Sequence, residues 1–205
     1  MAVIATNTAA NTALVYLNRN AAEQGDSLAK ISSGSRIVKA SDDAAGLAVG
    51  TGLKADAAVL KQAAINSQQS VAILSIADGG LSQVSDILER MKVLAAQSAS
   101  GTVSNTERGY IDTEFQALEA EINAIESAVT FNGDALLDGG FNFNVLVGSA
   151  GADIIALDLS GVNVDSTSLA LNTNDVTTNA NAVTALAAVE TAIGTIVSDR
   201  ATVGA

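Results

Sequence analysis

Apolar residues recur at intervals of three and four positions along the first two-thirds of the chain. There are three such series: Leu14, Leu17, Ala21, Leu28 and Ile31; Leu53, Ala57, Leu60, Ala64, Val71 and Leu74; and Ile111, Phe115, Leu118, Ile122, Ile125 and Val129. This spacing predicts three helices, each with a narrow apolar stripe that packs lengthwise against a partner helix. From the first two series we predict an assembly seam that contacts other helices: Leu14, Leu17, Leu28, Ile31, Leu53, Leu60, Val71 and Leu74.

Capping signals mark where the first predicted helix ends and where the second begins. Gly34 favours a left-handed cap after Ile31, and the pair Asp42-Asp43 favours a helix start directly after it. Residues 1–12 are small and polar, and we expect them to be frayed. We expect the second helix to run over 44–98, with its stripe continuing at Leu81, Val84, Leu88, Met91 and Ala95.

The third helix begins with a capping box. In the run Ser104-Asn105-Thr106-Glu107 the serine caps the helix and the glutamate reaches back to it. The short turn around Gly101 makes the second and third helices an antiparallel hairpin. We expect the third helix to end near Val129.

The pattern changes after Thr130. Phe131-Asn132-Gly133 indicates a turn, and alternating residues over 141–147 and 155–159 predict a β-hairpin with a loop of about five or six residues. We expect 160–180 to be an exposed polar tract with a short extended piece at 169–171. After Asn179 a helical stripe returns, carried by Val183, Leu186, Val189, Ile193 and Val197. The predicted fold class is therefore mainly α, a long antiparallel helical hairpin or coiled-coil rod with a small β-hairpin.

Composition excludes several classes of function. The chain of 205 residues has no histidine, cysteine or proline, and aromatic residues make up 3%. Most transition-metal sites, cysteine nucleophiles, Ser-His-Asp triads and disulfides are thereby excluded, and we predict neither enzyme activity nor a cofactor. A net charge of −12 without a basic stripe argues against nucleic-acid binding. No run approaches 18 apolar residues, so we expect no membrane insertion, and the N-terminus does not resemble a cleaved signal peptide.

Two motifs could be mistaken for sites. Asp42 and Asp43 could form an acid pair or a metal site, but adjacent helical residues diverge by about 100°, so helix capping is the favoured interpretation. Gly46, Gly50 and Gly52 lack the preceding strand and following Gly-Lys of a phosphate loop. Close helix packing is their expected role.

Several segments resemble bacterial flagellins. They are LAKISSGSRIVKASDDAAG over 28–46, LERMKVLAAQS over 88–98, TFNG over 130–133 and SDRATVGA over 198–205. The resemblance covers about 1–150 and again 179–205, and the motifs follow the family's order. It implies a filament subunit for motility, built from coiled-coil regions called D0 and D1, with its variable middle on the outside.

The resemblance also implies a domain division and partners. It divides the chain into a D0-like 1–41, a D1-like hairpin over 42–130, a β-hairpin and variable segment over 131–178, and a D1-like helix beginning at 179. Expected partners are other flagellin subunits, flagellar export and chaperone proteins, and hook-associated and cap proteins. Export as an unfolded chain without a cleaved signal peptide would place the protein outside the cell, in the flagellum.

Many flagellins are bound by the innate immune receptor TLR5. Arg90, Leu94 and Gln97, at spacings i, i+4 and i+7, match the receptor-contacting pattern, and Glu114 matches a further contact. Val93 departs from the acidic residue common in the family. The alternative interpretation of these residues is an ordinary helix surface that faces neighbouring subunits.

Flagellins normally continue several tens of residues beyond the segment that ends at Ala205. We therefore expect this chain to lack most of the C-terminal partner helix, and residues 1–205 alone not to elongate filament seeds. An enzyme would require an inserted catalytic domain, and this chain is too short to contain one. Two other functions remain open. One is a filament subunit. The other is a surface-displayed homologue that captures a polysaccharide or another ligand, which would require a groove with aromatic platforms or clustered polar groups.

Overall fold

The structure is a computed structural model that describes residues 7–205. Its elements are four helices, α1 (Thr8–Ser33), α2 (Ala44–Ser98), α3 (Asn105–Ala128) and α4 (Asn179–Gly204), and four short strands. The strands are β1 (Thr130–Phe131), β2 (Asp134–Ala135), β3 (Asn142–Leu146) and β4 (Ile154–Asp158). The chain divides into two compact units, Met1–Val59 and Leu60–Ala205, and α2 contains the boundary. The predicted mainly α fold with a small β-hairpin is confirmed.

The first unit contains α1, a connector and the start of α2. The Asn7 side chain accepts a hydrogen bond from the Ala10 amide, and Gly34 ends α1 with φ of 65°. Because α1 begins at Thr8, the expectation of a frayed segment is wrong for 7–12, where the Asn7 cap stabilises the first turn. Residues 1–6 of that prediction lie outside the described residues.

The second unit is built around three helices. Arg90, about two turns before the end of α2, pairs at 2.6 Å with Glu114, about two and a half turns into α3, so these helices run antiparallel from their connecting turn. Lys92–Glu190 and Asp78–Arg200 contacts at 3.2 Å and 2.8 Å show that α4 also runs antiparallel to α2. The helices share one hydrophobic core, whose largest fully buried helical residues include Phe115, Leu81, Leu88, Met91, Leu94, Ile122 and Ile196.

Helix α2 continues unbroken through Gly79-Gly80, because packing at this point favours a residue without a side chain. A Cβ atom on Gly80 would lie 2.9 Å from the side chains of both Val129 and Leu137. Gly80 thus lets the segment after α3 approach the helix backbone, which offsets the lower helix propensity of glycine.

Two antiparallel strand pairs follow α3. β1 and β2 are joined by Asn132 and Gly133, with φ of 53° and 96°, which gives the turn favoured for a two-residue hairpin and confirms the predicted turn. β3 pairs with β4 in the register Asn142↔Asp158 to Leu146↔Ile154. The connecting loop covers 147–153 and is slightly longer than the five or six residues expected. Hydrogen bonds between Ala150 and Asp153 close it.

The polar tract over 161–178 departs most from its prediction. It folds back onto the core and buries five apolar side chains, Val162, Val164, Leu169, Leu171 and Val176. Residues 169–171 form a turn rather than an extended piece, with Ala170 at φ 53°. Asn123 and Asp112 of α3 hold the tract by accepting hydrogen bonds from the Ser166 and Val176 amides.

The buried face of α4 also differs from the predicted one. Val183 and Val197 are 53% and 60% exposed, and the buried positions are Ala182, Ala185, Val189, Ala192, Ile196, Asp199 and Val203. Alanine lets two helix backbones approach closely, so a face rich in alanine is buried in preference to one with larger side chains.

Two helices, Ala44–Ser98 and Asn179–Gly204, are long and apolar enough to cross a membrane by length and composition alone. A helix packed in a protein core meets the same two criteria, and α4 uses its apolar face in that way. The expectation that the chain does not insert into a membrane therefore stays a prediction.

Asp199 is the one acidic residue in the buried face of α4. It is 8% exposed, and its Oδ2 atom has no hydrogen-bond partner among the described residues. Burial raises the pKa of this carboxyl above its usual range. The folded chain therefore binds this proton more tightly than the unfolded chain, and this group favours folding less as the pH rises.

Asp199→Asn is expected to stabilise the protein at pH 7 by about 1 kcal/mol, because the buried charge is removed at constant size. This gain in stability should vanish as the pH falls below the usual pKa range of aspartate, because the Asp199 carboxyl is then protonated and neutral, like the asparagine that replaces it. Urea unfolding of both proteins between pH 3 and pH 7 measures the difference.

Glu107→Gln is the matched control for Asp199→Asn. The pKa of Glu107 is lowered by hydrogen bonds from the Ser104 amide and hydroxyl, so its stabilising effect is present at neutral pH and is lost as the pH falls. Substitution of Glu107 should therefore destabilise at pH 7. A variant of Asp199 that behaved the same way would contradict the assignment of an unpartnered buried carboxylate.

Candidate assembly surface

Helix α1 has no buried residue in the structure. Four of its leucine and isoleucine side chains, Leu14, Leu17, Leu28 and Ile31, are 54%, 64%, 70% and 80% exposed. An exposed apolar stripe on a helix normally marks a surface that contacts another helix or protein. Helix α1 therefore presents a surface suited to contact with another helix.

The connector over 34–43 is organised by carboxylates. The side chain of Asp42 accepts hydrogen bonds from the Val38 and Lys39 amides, and these bonds lower its pKa. Lys39 in turn reaches Asp26 of α1 at 2.7 Å, which raises the lysine pKa. The connector is thus tied to the last turns of α1.

Asp43 caps the start of α2. It accepts a hydrogen bond from the Gly46 amide at 2.8 Å, and a Cβ atom at Gly46 would collide with the same carboxylate. The predicted capping role is confirmed for Asp43, whereas Asp42 binds the connector amides of Val38 and Lys39 instead of capping α2. Gly46 thereby serves the cap, whereas Gly50 and Gly52 face open space. Within 7–205, no group of three acidic residues could hold a metal ion.

The α2 part of the predicted seam is also exposed. Leu53, Leu60 and Val71 are 64%, 50% and 62% exposed, and Leu74 is half-buried against the core of the second unit. The residues that α2 buries lie on a different face and begin with Ala63, Ser70 and Ile73. Leu60 and Val71 therefore lie on a face of α2 that the second unit leaves exposed.

The residues matched to the receptor pattern lie in two environments. Arg90 and Glu114 form an exposed ion pair, and Gln97 is exposed on the same helix as Arg90. Leu94, however, is 2% exposed and belongs to the core. Its inclusion in an exposed contact face is corrected here: spacing i, i+4 alone placed it beside Arg90, and the packing of α2 turns it inward.

The open groove beside the β1–β2 turn is lined by three phenylalanines, Phe131, Phe141 and Phe143. Phe141 is 8% exposed and packs edge-on against Phe143, with ring centroids 5.0 Å apart. Only Phe131, 41% exposed, presents much of its ring. The groove therefore presents one exposed ring rather than a pair of aromatic platforms.

Sequence reasoning missed Arg108, which is 6% exposed. Its guanidinium donates hydrogen bonds to the carbonyl oxygens of Ser98 and Ser100 and to the Asn105 side chain at 2.7–2.9 Å. It thus fixes the turn between α2 and α3. The sequence signal was slight, a lone arginine directly after a capping box.

Comparison with known proteins gives the family. The family described as the bacterial flagellin N-terminal helical region matches residues 4–142, well over half of the chain. The chain belongs to this family, which is a structural family and not an enzymatic one. The resemblance to bacterial flagellins that the four sequence segments indicated is confirmed.

Relatives are similar over most of this chain. Flagellin A of Vibrio anguillarum is 37% identical over 161 residues, 78% of this chain and 42% of the relative. A flagellin of Halalkalibacterium halodurans is 38% identical over 71% of this chain and 54% of the relative. The chain thus spans about half the length of these relatives, or less.

Two solved structures share the fold. The crystal structure of Bacillus cereus flagellin matches with a TM-score of 0.59 and 31% identity, and covers 67% of this chain and 79% of that one. The structure of FliC from Burkholderia pseudomallei has a TM-score of 0.58 at 15% identity, over 66% and 97% of the two chains. The second likeness concerns the fold alone.

Proposed function

We propose that this chain supplies the N-terminal part of a flagellar filament subunit, which self-assembles through its helices for motility. The observation that carries the proposal is α1, a capped helix of 26 residues with an exposed apolar stripe and no buried residue. Burial of that stripe provides the driving force for association, at roughly 25 cal/mol per Å² of apolar area. Family membership supports the same function.

The proposal includes the surroundings of a filament subunit. The partners are other flagellin subunits, flagellar export and chaperone proteins, and hook-associated and cap proteins. The protein acts outside the cell after export without a cleaved signal peptide. The division into a D0-like 1–41 and D1-like segments after it belongs to the same proposal.

Polar substitution of the α1 stripe tests this function. Leu28→Gln with Ile31→Gln should weaken concentration-dependent self-association of the chain by about tenfold or more, because two exposed apolar side chains no longer enter an interface. Sedimentation velocity measures the association. The folded chain should be unchanged by circular dichroism, since both side chains are more than two-thirds exposed.

Val15→Gln is the matched control, since Val15 is 65% exposed on α1 but lies outside the seam. It should leave the association nearly unchanged. Equal weakening by both sets of substitutions would contradict a defined seam, and an unchanged association in the Leu28 and Ile31 variant would contradict the proposed role of α1.

Recognition by the innate receptor TLR5 is a second proposal, and Arg90, Gln97 and Glu114 are its candidate contacts. All three are exposed, and the Arg90–Glu114 pair fixes two of them side by side. A pull-down with the receptor ectodomain should capture the wild-type chain more strongly than Arg90→Ala. Equal capture of both would remove the proposal.

A further inference from the structure

Strands β3 and β4 form a two-stranded sheet in which hydrogen-bonded residue pairs alternate with unbonded ones, as in any antiparallel ladder. The Val147 amide donates a hydrogen bond to the Asp153 carbonyl at 2.8 Å, and this bond fixes which pairs are bonded. In steps of two along the register, Ile155 and Leu157 therefore direct their backbone groups toward β3. The alternate residues of β4 direct their backbone groups away from β3.

The outward backbone groups of β4 form no hydrogen bond within 7–205. They are the Ile154 carbonyl, the amide and carbonyl of Ala156, and the Asp158 amide. The outer edge of β3, in contrast, lies beside α2, where the Asn66 side chain donates a hydrogen bond to the Leu146 carbonyl at 3.2 Å. The edge at β4 is therefore the one that is open to pairing with a further strand.

Two isoleucines of β4 are exposed beside this open edge. Ile154 and Ile155 are 48% and 55% exposed, and as neighbours in a strand they lie on opposite faces of the sheet. Leu157 shares a face with Ile155 but is buried. A strand added along β4 would cover apolar surface on both faces, and this burial would supplement its backbone hydrogen bonds.

The segment around the open edge carries negative charge only. Residues 131–178 contain six aspartates and no glutamate, lysine or arginine. Asp153 directly precedes β4 and Asp158 ends it, and both are exposed. Hydrogen bonds from Ser160 lower the pKa of Asp158, so its carboxylate is charged at neutral pH. Both ends of the open edge are therefore anionic.

These charges disfavour pairing of β4 with the same strand of a second copy. An antiparallel pair of two β4 strands would bring Asp153 and Asp158 of both copies into one contact without a cation, and the like charges would repel. Charged side chains on an exposed edge are a common means of preventing such pairing. The same carboxylates attract a strand that carries positive charge.

We propose that the open edge of β4 binds an extended segment of another protein, with a central apolar stretch and a lysine or arginine near each end. The segment adds to the β3–β4 sheet as a third, antiparallel strand. Its backbone pairs with Ala156 and the neighbouring outward groups, while Asp153 and Asp158 select a basic sequence. This site is separate from the stripe on α1 and goes beyond the proposed function.

A synthetic peptide of sequence TKVTVVK, blocked at both ends, is the probe. Antiparallel to β4, with its fourth residue opposite Ala156, it places its two lysines opposite Asp158 and Asp153 and its valines opposite residues 154, 155 and 157. Anisotropy of the fluorescently labelled peptide, titrated with the full chain, measures binding and should show saturation. The control peptide TEVTVVE should bind at least about tenfold more weakly, because its charges are reversed.

Ala156→Pro tests the edge from the side of the chain. Because the Ala156 amide points away from β3, proline there removes no hydrogen bond of the β3–β4 ladder. It does delete an outward donor and places its ring in the path of the incoming strand. Peptide binding should fall at least about tenfold, with circular dichroism as a check that the variant is folded.

Backbone methylation of the peptide tests the same contact with the wild-type chain. The N–H of the fourth peptide residue would donate to the Ala156 carbonyl, so methylation of that nitrogen should weaken binding about tenfold. The N–H of the third residue would point away from β4. Methylation there is the matched control and should change the affinity much less.

Charge reversal tests the selection of a basic segment. Asp158→Lys should weaken binding of TKVTVVK about fivefold. Asp134→Lys makes the same change of net charge at an exposed position on β2 and should have little effect. Equal weakening by both variants would mean that the peptide responds to the net charge of the chain rather than to the ends of β4, and would overturn the selection proposed here.

Amide hydrogen exchange followed by NMR locates the bound peptide at the level of single residues. The Ala156 and Asp158 amides should exchange more slowly with the peptide bound. Absence of saturable binding, or equal binding by the wild type and Ala156→Pro, would overturn the proposal. Slower exchange of these amides at high chain concentration without peptide would also overturn it, since the occupant would then be a second copy. None of these outcomes alters the test of α1.

Discussion

Phe115→Ala should lower the free energy of unfolding by about 3–5 kcal/mol, the loss expected when a fully buried phenylalanine is truncated. Phe115 has no exposed surface and lies in the core formed by α2, α3, α4 and the tract over 161–178. The loss combines the lost transfer free energy of the ring with the cavity that the surrounding helices do not fill. Urea unfolding followed by circular dichroism measures it.

Tyr110→Ala is the control on the same helix. Tyr110 is 74% exposed, so its truncation should change the free energy of unfolding by no more than about 0.5 kcal/mol. A loss at Phe115 as small as that at Tyr110 would mean that the helices of the second unit do not form the described core.

Arg108→Ala should cost about 2–4 kcal/mol of folding free energy. The guanidinium is buried and forms no ion pair among residues 7–205, and carbonyl oxygens at the end of α2, the negative end of the helix dipole, accept its hydrogen bonds. Truncation leaves the buried Ser98 carbonyl without its donor, and an orphaned buried group costs about 1–3 kcal/mol. The Ser100 carbonyl loses one of two donors and keeps the Val103 amide. Urea unfolding again provides the measurement.

Arg108→Lys separates the charge from the geometry. Lysine keeps the positive charge but cannot reach three acceptors with the fixed fork of a guanidinium. It should therefore recover only part of the lost stability. Full recovery by lysine would show that charge alone holds the turn, and no loss in Arg108→Ala would contradict the assigned hydrogen bonds.

Strong local signals made the helices predictable. The cap at Asp43 and the turn around Gly101 set the two ends of α2, and the capping box at Ser104 set the start of α3. The apolar stripe of α3 also identified its buried face, where Phe115 and Ile122 lie. In these segments local propensity and tertiary packing favour the same structure.

Tertiary packing decided the elements that the sequence alone did not predict. The tract over 161–178 reads as polar because its valines and leucines are isolated among Asn, Ser and Thr, and no period relates them. Their burial depends on hydrogen bonds that the Ser166 and Val176 amides donate to Asn123 and Asp112 of a distant helix. Similarly, α4 buries alanines because close approach to α2 outweighs side-chain size.

The candidate assembly surface was likewise predicted where spacing and packing agree and missed where they differ. The spacing of the assembly seam was visible from the sequence, and its members on α1 are exposed in the structure. The spacing of Arg90, Leu94 and Gln97 was equally visible, yet Leu94 is buried. A spacing of four places residues on one side of a helix, but the neighbouring helices determine whether that side faces solvent.

Amide hydrogen exchange on the chain at low and high concentration shows whether contact with other helices covers the exposed stripes of α1 and α2. On association, exchange should slow over 14–31 and 53–71 and change little over the buried stretch of α2 from Val84 to Ala95. Association without added protection in 14–31 and 53–71 would show that these stripes are not the contact surfaces.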